Sequence, residues 1–149
     1  MTTREEEKWD TCSDEYTENL ISAIRMNNID EIRRLHELGT NLDAIGSSGK
    51  TPLYLASCYN YPHLVSLLIE LGAHVDSPDC SLNFCFTPIY IAAMNGSQDV
   101  IRVLVNADAS FRRNILDEVM VSAIPELHDY LENVLNEREQ AYEHYVEDV

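Results

Sequence analysis

The side chains through which this chain could act on a substrate are five histidines, four cysteines and 26 carboxylates. Their spacing argues against catalysis. His36, His63, His74, His128 and His144 are scattered, and none stands in a Ser-His-Asp pattern or a metal-ligand spacing. Cys12, Cys58, Cys80 and Cys85 form no CxxC pair. Cys80 and Cys85 stand five apart, but no neighbouring His or Cys completes a zinc set. Four reduced thiols suit the cytosol or nucleus. No glycine-rich loop is present to cradle a phosphate. Paired carboxylates abound, yet in so acidic a chain they meet by chance. Acid–base work would also need a closed pocket to raise one of their pKa values. The expectation is a non-enzyme with no cofactor and no metal.

Charge narrows the partners. With 26 acidic and 10 basic side chains, the 149 residues carry a net charge of −16. Lysine is scarce: Lys8 and Lys50 stand against eight arginines. A nucleic-acid binder needs a basic stripe to replace phosphate counterions, so nucleic acid is excluded. An anionic membrane surface is disfavoured for the same reason. A protein partner with a basic face is favoured; the plainer reading is a solvated acidic surface. The start, Met1–Thr2–Thr3–Arg4 running into Glu5–Glu6–Glu7, has no apolar core of a signal peptide. The weakly charged stretch Val75 to Gln98 is interrupted by Asp76, Asp79, Pro78 and Pro88 and is no membrane span. A cytoplasmic or nuclear protein, monomeric when free, is expected.

The elements that carry these side chains come from an internal repeat. Thr51–Pro52–Leu53–Tyr54–Leu55–Ala56–Ser57 recurs as Thr87–Pro88–Ile89–Tyr90–Ile91–Ala92–Ala93. Each is followed by a second apolar run, Leu64–Ile69 and Val100–Val105. The closing segment Leu71–Gly72–Ala73–His74–Val75–Asp76 has an earlier copy in Leu38–Gly39–Thr40–Asn41–Leu42–Asp43, and Gly39 to Gly72 is 33 residues. Thr51 and Thr87 are placed as N-caps, with Pro52 and Pro88 at the first helical position. Leu53, Ala56 and Ser57 share one helical face, as do Ile89, Ala92 and Ala93, and their small members let helices approach. Gly39 and Gly72 sit where a helix ends in a left-handed turn; Asp108 takes that place in the next copy. No copy can bury its face alone, so the units must stack.

Ser48–Gly49–Lys50–Thr51–Pro52–Leu53–Tyr54–Leu55–Ala56 resembles the ankyrin-repeat signature, and the pattern extends from Glu18 to about Leu135. The resemblance implies an all-α solenoid of helix-turn-helix units with projecting β-turn fingers. The layout is an acidic N-terminal extension over 1–16 and a repeat domain over 17–135. Its copies span about 17–46, 47–79 and 80–114, with a degenerate C-terminal cap over 115–135. An acidic tail, 136–149, follows. Expected helices cover Glu18–Met26 and Ile29–Leu38 in the first copy, and Asp117–Ala123 and Pro125–Leu135 in the last. Trp9 and Tyr16 could anchor the extension to the first copy, and Tyr142 and Tyr145 could extend the last helix. The family's usual His is Tyr54 and Tyr90 here, whose hydroxyls can replace its hydrogen bond.

One finger departs from the pattern. Thr51 to Thr87 is 36 residues, and the excess falls in Ser77–Phe86, which carries Leu82, Phe84 and Phe86. Those apolar groups either anchor a partner or fold back on the stack.

By resemblance, the binding face is made of finger tips and the exposed side of each first helix. Carried over by position, it comprises Arg25, Met26, Cys58, Tyr59, Met94 and Asn95. The fingers add Ile45, Ser47, Ser48, Lys50, Leu82, Asn83, Phe84, Arg112 and Arg113. This mixture of apolar, aromatic and arginine side chains suits interface anchors. The expected function is that of a stoichiometric inhibitor or regulatory subunit of a kinase or transcription factor. The alternative is an adaptor that bridges two proteins. The terminal Glu147–Asp148–Val149 also fits a loose PDZ-domain ligand.

Overall fold

Helix starts follow the Thr-Pro pairs. Thr51 is extended (φ −79°, ψ 155°), its hydroxyl oxygen accepts from the Tyr54 amide at 3.3 Å, and Pro52 opens the helix. Thr87 has the same backbone (φ −80°, ψ 161°), but its hydroxyl makes no capping bond. The Tyr90 amide bonds the Thr87 carbonyl instead, at 3.1 Å. The N-cap reading therefore holds for the side chain of Thr51 and only for the backbone of Thr87.

The computed structural model describes residues 15–77, 86–121 and 124–147. Of the sequence expectations, those on Trp9, Cys12, Cys80, Leu82, Asn83, Phe84, Cys85, Asp148 and Val149 lie outside the described residues. Among the described residues there are eight helices: α1 Glu15–Arg25, α2 Ile29–Glu37, α3 Pro52–Cys58, α4 Pro62–Glu70, α5 Pro88–Met94, α6 Gln98–Asn106, α7 Asn114–Val121 and α8 Pro125–Glu147. They pair as α1 on α2, α3 on α4, α5 on α6 and α7 on α8. The first helices stand side by side, α3 against α1 and α5, and α5 against α7, while α4 packs on α6. This is the expected all-helical solenoid.

The shared faces explain the stacking. Leu53, Ala56 and Ser57 are buried, as are Ile89, Ala92 and Ala93. Alanine and serine at these points keep adjacent helices close. The buried Ser57 hydroxyl donates to the Leu53 carbonyl at 2.8 Å, so it costs no unsatisfied polar group. One hydrophobic core runs the length of the stack, from Leu20 and Ile24 through Leu53 and Leu68 to Leu104 and Leu131.

The first three helix pairs turn through left-handed residues. Gly39 (φ 86°), Gly72 (φ 104°) and Asp108 (φ 62°) follow the second helices. Asn27 (φ 54°), Asn60 (φ 58°) and Gly96 (φ 67°) follow the first helices at the same spacings, 33 and then 36 residues. Asparagine is the side chain that best tolerates this backbone after glycine. The second row was not anticipated from the sequence.

The units are also linked by carboxylates. Asp43 Oδ1 accepts from the His74 amide at 2.8 Å and the Ser77 hydroxyl at 3.0 Å. Asp76 Oδ1, 33 residues on, accepts from the Ser110 amide at 2.8 Å. The matching position after a further 36 residues is Arg112, and the ladder stops there.

The ends differ from the sequence reading. α1 begins at Glu15, three residues before Glu18, and buries Thr17. α7 begins at Asn114 rather than Asp117, because Ile115 and Leu116 are buried and their amides bond the Arg112 and Arg113 carbonyls. α8 covers the expected Pro125–Leu135 and continues through Tyr142 and Tyr145, the extension the sequence offered, for 23 residues in all to Glu147. No Gly or Pro interrupts it, and Arg138 secures the added turns. That guanidinium donates to the Ala109 carbonyl at 2.8 Å and the Val105 carbonyl at 3.4 Å, and lies 5.1 Å from the Phe111 ring centre. It thereby ties α8 to the last turn of α6 and to the loop that follows it.

Candidate protein-interaction face

The C-terminal ends of α1, α3 and α5 form a row. Each helix ends in one of the left-handed turns above, which leaves its last side chains projecting into solvent. The row presents Arg25 and Met26, then Cys58 and Tyr59, then Met94 and Asn95. Met26 is 77% exposed, Tyr59 41% and Met94 47%. Large apolar groups this exposed gain little from folding, and the end of each first helix presents one, Met94 standing one register position before Met26 and Tyr59. Asn95 Nδ2 donates to the Cys58 carbonyl at 3.3 Å and holds adjacent rows together. The Tyr59 and Tyr61 rings stand 5.9 Å apart, and Tyr61 packs on the core. His63 Nε2 lies 2.7 Å from Asn27 Oδ1, which ties α4 to the first turn.

The first finger is built around glycine. The Gly46 amide bonds the Lys50 carbonyl, and the Gly49 amide bonds the Gly46 carbonyl, with Gly49 at φ 76°. A Cβ on Gly46 would lie 3.1 Å from Ile21 Cγ1, so the finger sits tightly on α1. Glu18 accepts from the Ser47 amide at 2.6 Å and fixes the same approach. Ile45 is 47% exposed beside it. Lys50 Nζ lies 5.9 Å over the Tyr54 ring. The finger before α5 is described only at its ends. There Phe86 stacks on Tyr90, 4.8 Å between centroids and 12° between planes, so this one of its apolar residues packs on the stack.

The last two site residues part ways. Arg113 is engaged within the chain, donating to Asn136 at 3.1 Å and Glu139 at 2.8 Å. Arg112 is exposed, and its guanidinium makes no ion pair or hydrogen bond among the described residues. Two hollows, of about 740 and 540 Å³, adjoin it.

The face has little acid–base chemistry. The resolved shifts belong to α2, where a hydrogen bond from Arg34 (2.6 Å) holds the Glu31 carboxyl below its usual range, and the same bond raises Arg34. Both lie at the surface, Arg34 exposed and Glu31 half-buried. The described histidines and carboxylates converge once, at His128, Asp129 and Glu132 on α8, with ligand atoms within 4.8 Å of one another. His128 and Glu132 there are half-buried and Asp129 is exposed. No described helix is long and apolar enough to cross a membrane.

Comparison with known proteins agrees with this architecture. A family model of ankyrin repeats in three copies matches residues 5–79, and a model of the single ankyrin repeat matches residues 85–117. The chain is similar to the inactive serine/threonine-protein kinase TEX14 of Bos taurus, 27% identical over 103 residues, 67% of this chain and 6% of that protein. It is similar to the tyrosine-protein kinase HTK16 of Hydra vulgaris, 33% identical over 88 residues, 59% of this chain and 12% of that one. With protein fem-1 homolog A of Danio rerio it shares 41% identity over 76 residues, 42% of this chain and 12% of the relative. The matches span at most 12% of these three relatives' own lengths, so their kinase names do not transfer to this chain.

Proposed function

The chain belongs to the ankyrin-repeat family, whose non-catalytic stacks bind other proteins, and we propose that it acts as a stoichiometric inhibitor or regulatory subunit of one partner, such as a kinase or transcription factor. The observation that carries this reading is the exposed row Met26, Tyr59 and Met94, repeated once per unit. A binding strip of this kind spends apolar side chains where the fold does not need them. Arg25, Cys58 and Asn95 flank the row. Ile45 and Lys50 extend it along the first finger, Leu82 and Phe84 are assigned to it by sequence position, and Arg112 and Arg113 close it.

Inhibition requires only that a partner's working surface be covered. A short stack can cover it without any chemistry of its own. The net charge of −16 favours a partner with a basic face and speeds its encounter. A cytoplasmic or nuclear setting fits the cysteine usage.

The test is affinity purification of the full chain from cell lysate, with mass spectrometry and the mass of the purified complex. One enriched partner in a one-to-one complex, whose activity falls on binding, supports the proposal. Two partners that bind independently point to an adaptor. Enrichment of no protein contradicts both.

A further inference from the structure

We infer that the saddle formed by Phe111 and Arg112 is a binding site for an extended peptide segment of the partner, one in which a single acidic side chain is flanked by large apolar ones. The inference rests on the binding-module reading and assigns to one part of that face a ligand chemistry.

Three observations carry it. First, Phe111 and Arg112 line both hollows and so lie where the two meet. The larger hollow is walled by the stacked Phe86 and Tyr90 rings with Ile89 and Ile115. The smaller is walled by Leu135 and the 70% exposed Tyr142. An apolar side chain can therefore be received on each side of the guanidinium. Second, the neighbouring cations are occupied. Arg113 is held by Glu139 and Asn136, and Arg138 by two carbonyls, whereas Arg112 is exposed and makes no such contact among the described residues. Third, the repeat does not explain an arginine here. The same register holds Asp43 and Asp76, which bond the next unit's amides. After the third unit no equivalent loop exists, because α8 continues unbroken to Glu147. The position is released from stacking, and the charge there is reversed.

The complement of an unpaired guanidinium between two aromatic hollows is a carboxylate between two apolar side chains. The surrounding negative charge sharpens the requirement. Glu143 lines the far side of the smaller hollow, so a second carboxylate there would be repelled. An acidic segment without apolar flanks has too little to offset the chain's net charge of −16. A partner with a basic surface and one acidic residue in its docking segment satisfies both the body of the chain and this site.

The experiment uses the full chain and fluorescein-labelled nonapeptides of sequence GSLFDFLSG, with the central residue as Asp, Asn or Lys. A fourth peptide has Ser at the four apolar positions. Binding is read by fluorescence anisotropy on wild type and Arg112→Glu. The expected result is that the Asp peptide binds at least ~tenfold more tightly than the Asn, Lys and Ser-flanked forms. Arg112→Glu should melt like wild type and reverse the Asp-over-Lys preference. Equal affinity for all central residues overturns the inference, as does an unchanged preference in Arg112→Glu or no saturable binding. A free wild-type chain that sediments as a dimer, and as a monomer in Arg112→Glu, would assign the saddle to a second copy and also overturn it. Lysate partners lost on Tyr59→Ala, Met94→Ala but kept on Arg112→Glu would leave the module reading standing and this one refuted.

Discussion

The Asp43 carboxylate accepts a hydrogen bond from the His74 amide at 2.8 Å, across 31 residues and one repeat boundary. The same oxygen receives the Ser77 hydroxyl at 3.0 Å, while the matching Asp76 receives only the Ser110 amide. Nearest-neighbour links of this kind set the stability of a solenoid. Asp43→Ala should therefore cost about 2–3 kcal/mol and Asp76→Ala about 1–2 kcal/mol, at the values for hydrogen bonds to charged acceptors. Urea titrations of both variants check the order. A smaller loss for Asp43→Ala would show that the ladder is not carrying the stack.

Asp108 holds φ at 62° with its side chain 98% exposed. Its approach to Arg138, 3.9 Å, is an exposed pair of small worth. Glycine occupies the same left-handed site in the two earlier units. Asp108→Gly should stabilise by roughly 0.5–1 kcal/mol. The denaturation midpoint measures it, and a lower midpoint would contradict the assigned strain.

Arg138 fastens α8 to the end of α6. Arg138→Ala removes both carbonyl bonds and the stacking on Phe111, and should cost about 1–2 kcal/mol. Arg138→Lys keeps the charge but not the planar fork, so it should restore only part. Hydrogen exchange should quicken from Asn136 onward in the Ala variant. Unchanged exchange there would mean that α8 holds its added turns without the clamp.

The sequence made the repeat frame legible because its signals are local. Thr51–Pro52 and Thr87–Pro88 start helices through their own local groups, and Gly39, Gly72 and Asp108 mark left-handed turns 33 and then 36 residues apart. What it hid depends on neighbours. Asp43 and Asp76 repeat visibly, but their partners are amides in the next unit. Asn27 and Asn60 carry the second row of turns, and asparagine alone is a weaker turn signal than glycine. The end of α8 had no stop residue to read, and its length comes from Arg138 reaching α6. At the candidate face, Met26, Tyr59 and Met94 were legible as large apolar residues at the ends of the first helices, Met26 and Tyr59 one residue before the left-handed turn and Met94 two residues before it. Arg113 was grouped with Arg112 on adjacency, yet the fold pairs it with Glu139.

The account stands most directly on the exposed row. Tyr59→Ala, Met94→Ala removes two of its large side chains, 41% and 47% exposed, outside the core. Exposed substitutions change folding by about 0.5 kcal/mol or less each, whereas truncated interface anchors cost about 2 kcal/mol or more. The measurement is quantitative affinity purification with wild-type and double-variant chains as bait, alongside their melting curves. The account predicts nearly superimposable melting and a partner recovered at least ~tenfold less by the variant. Equal recovery at equal stability would contradict it.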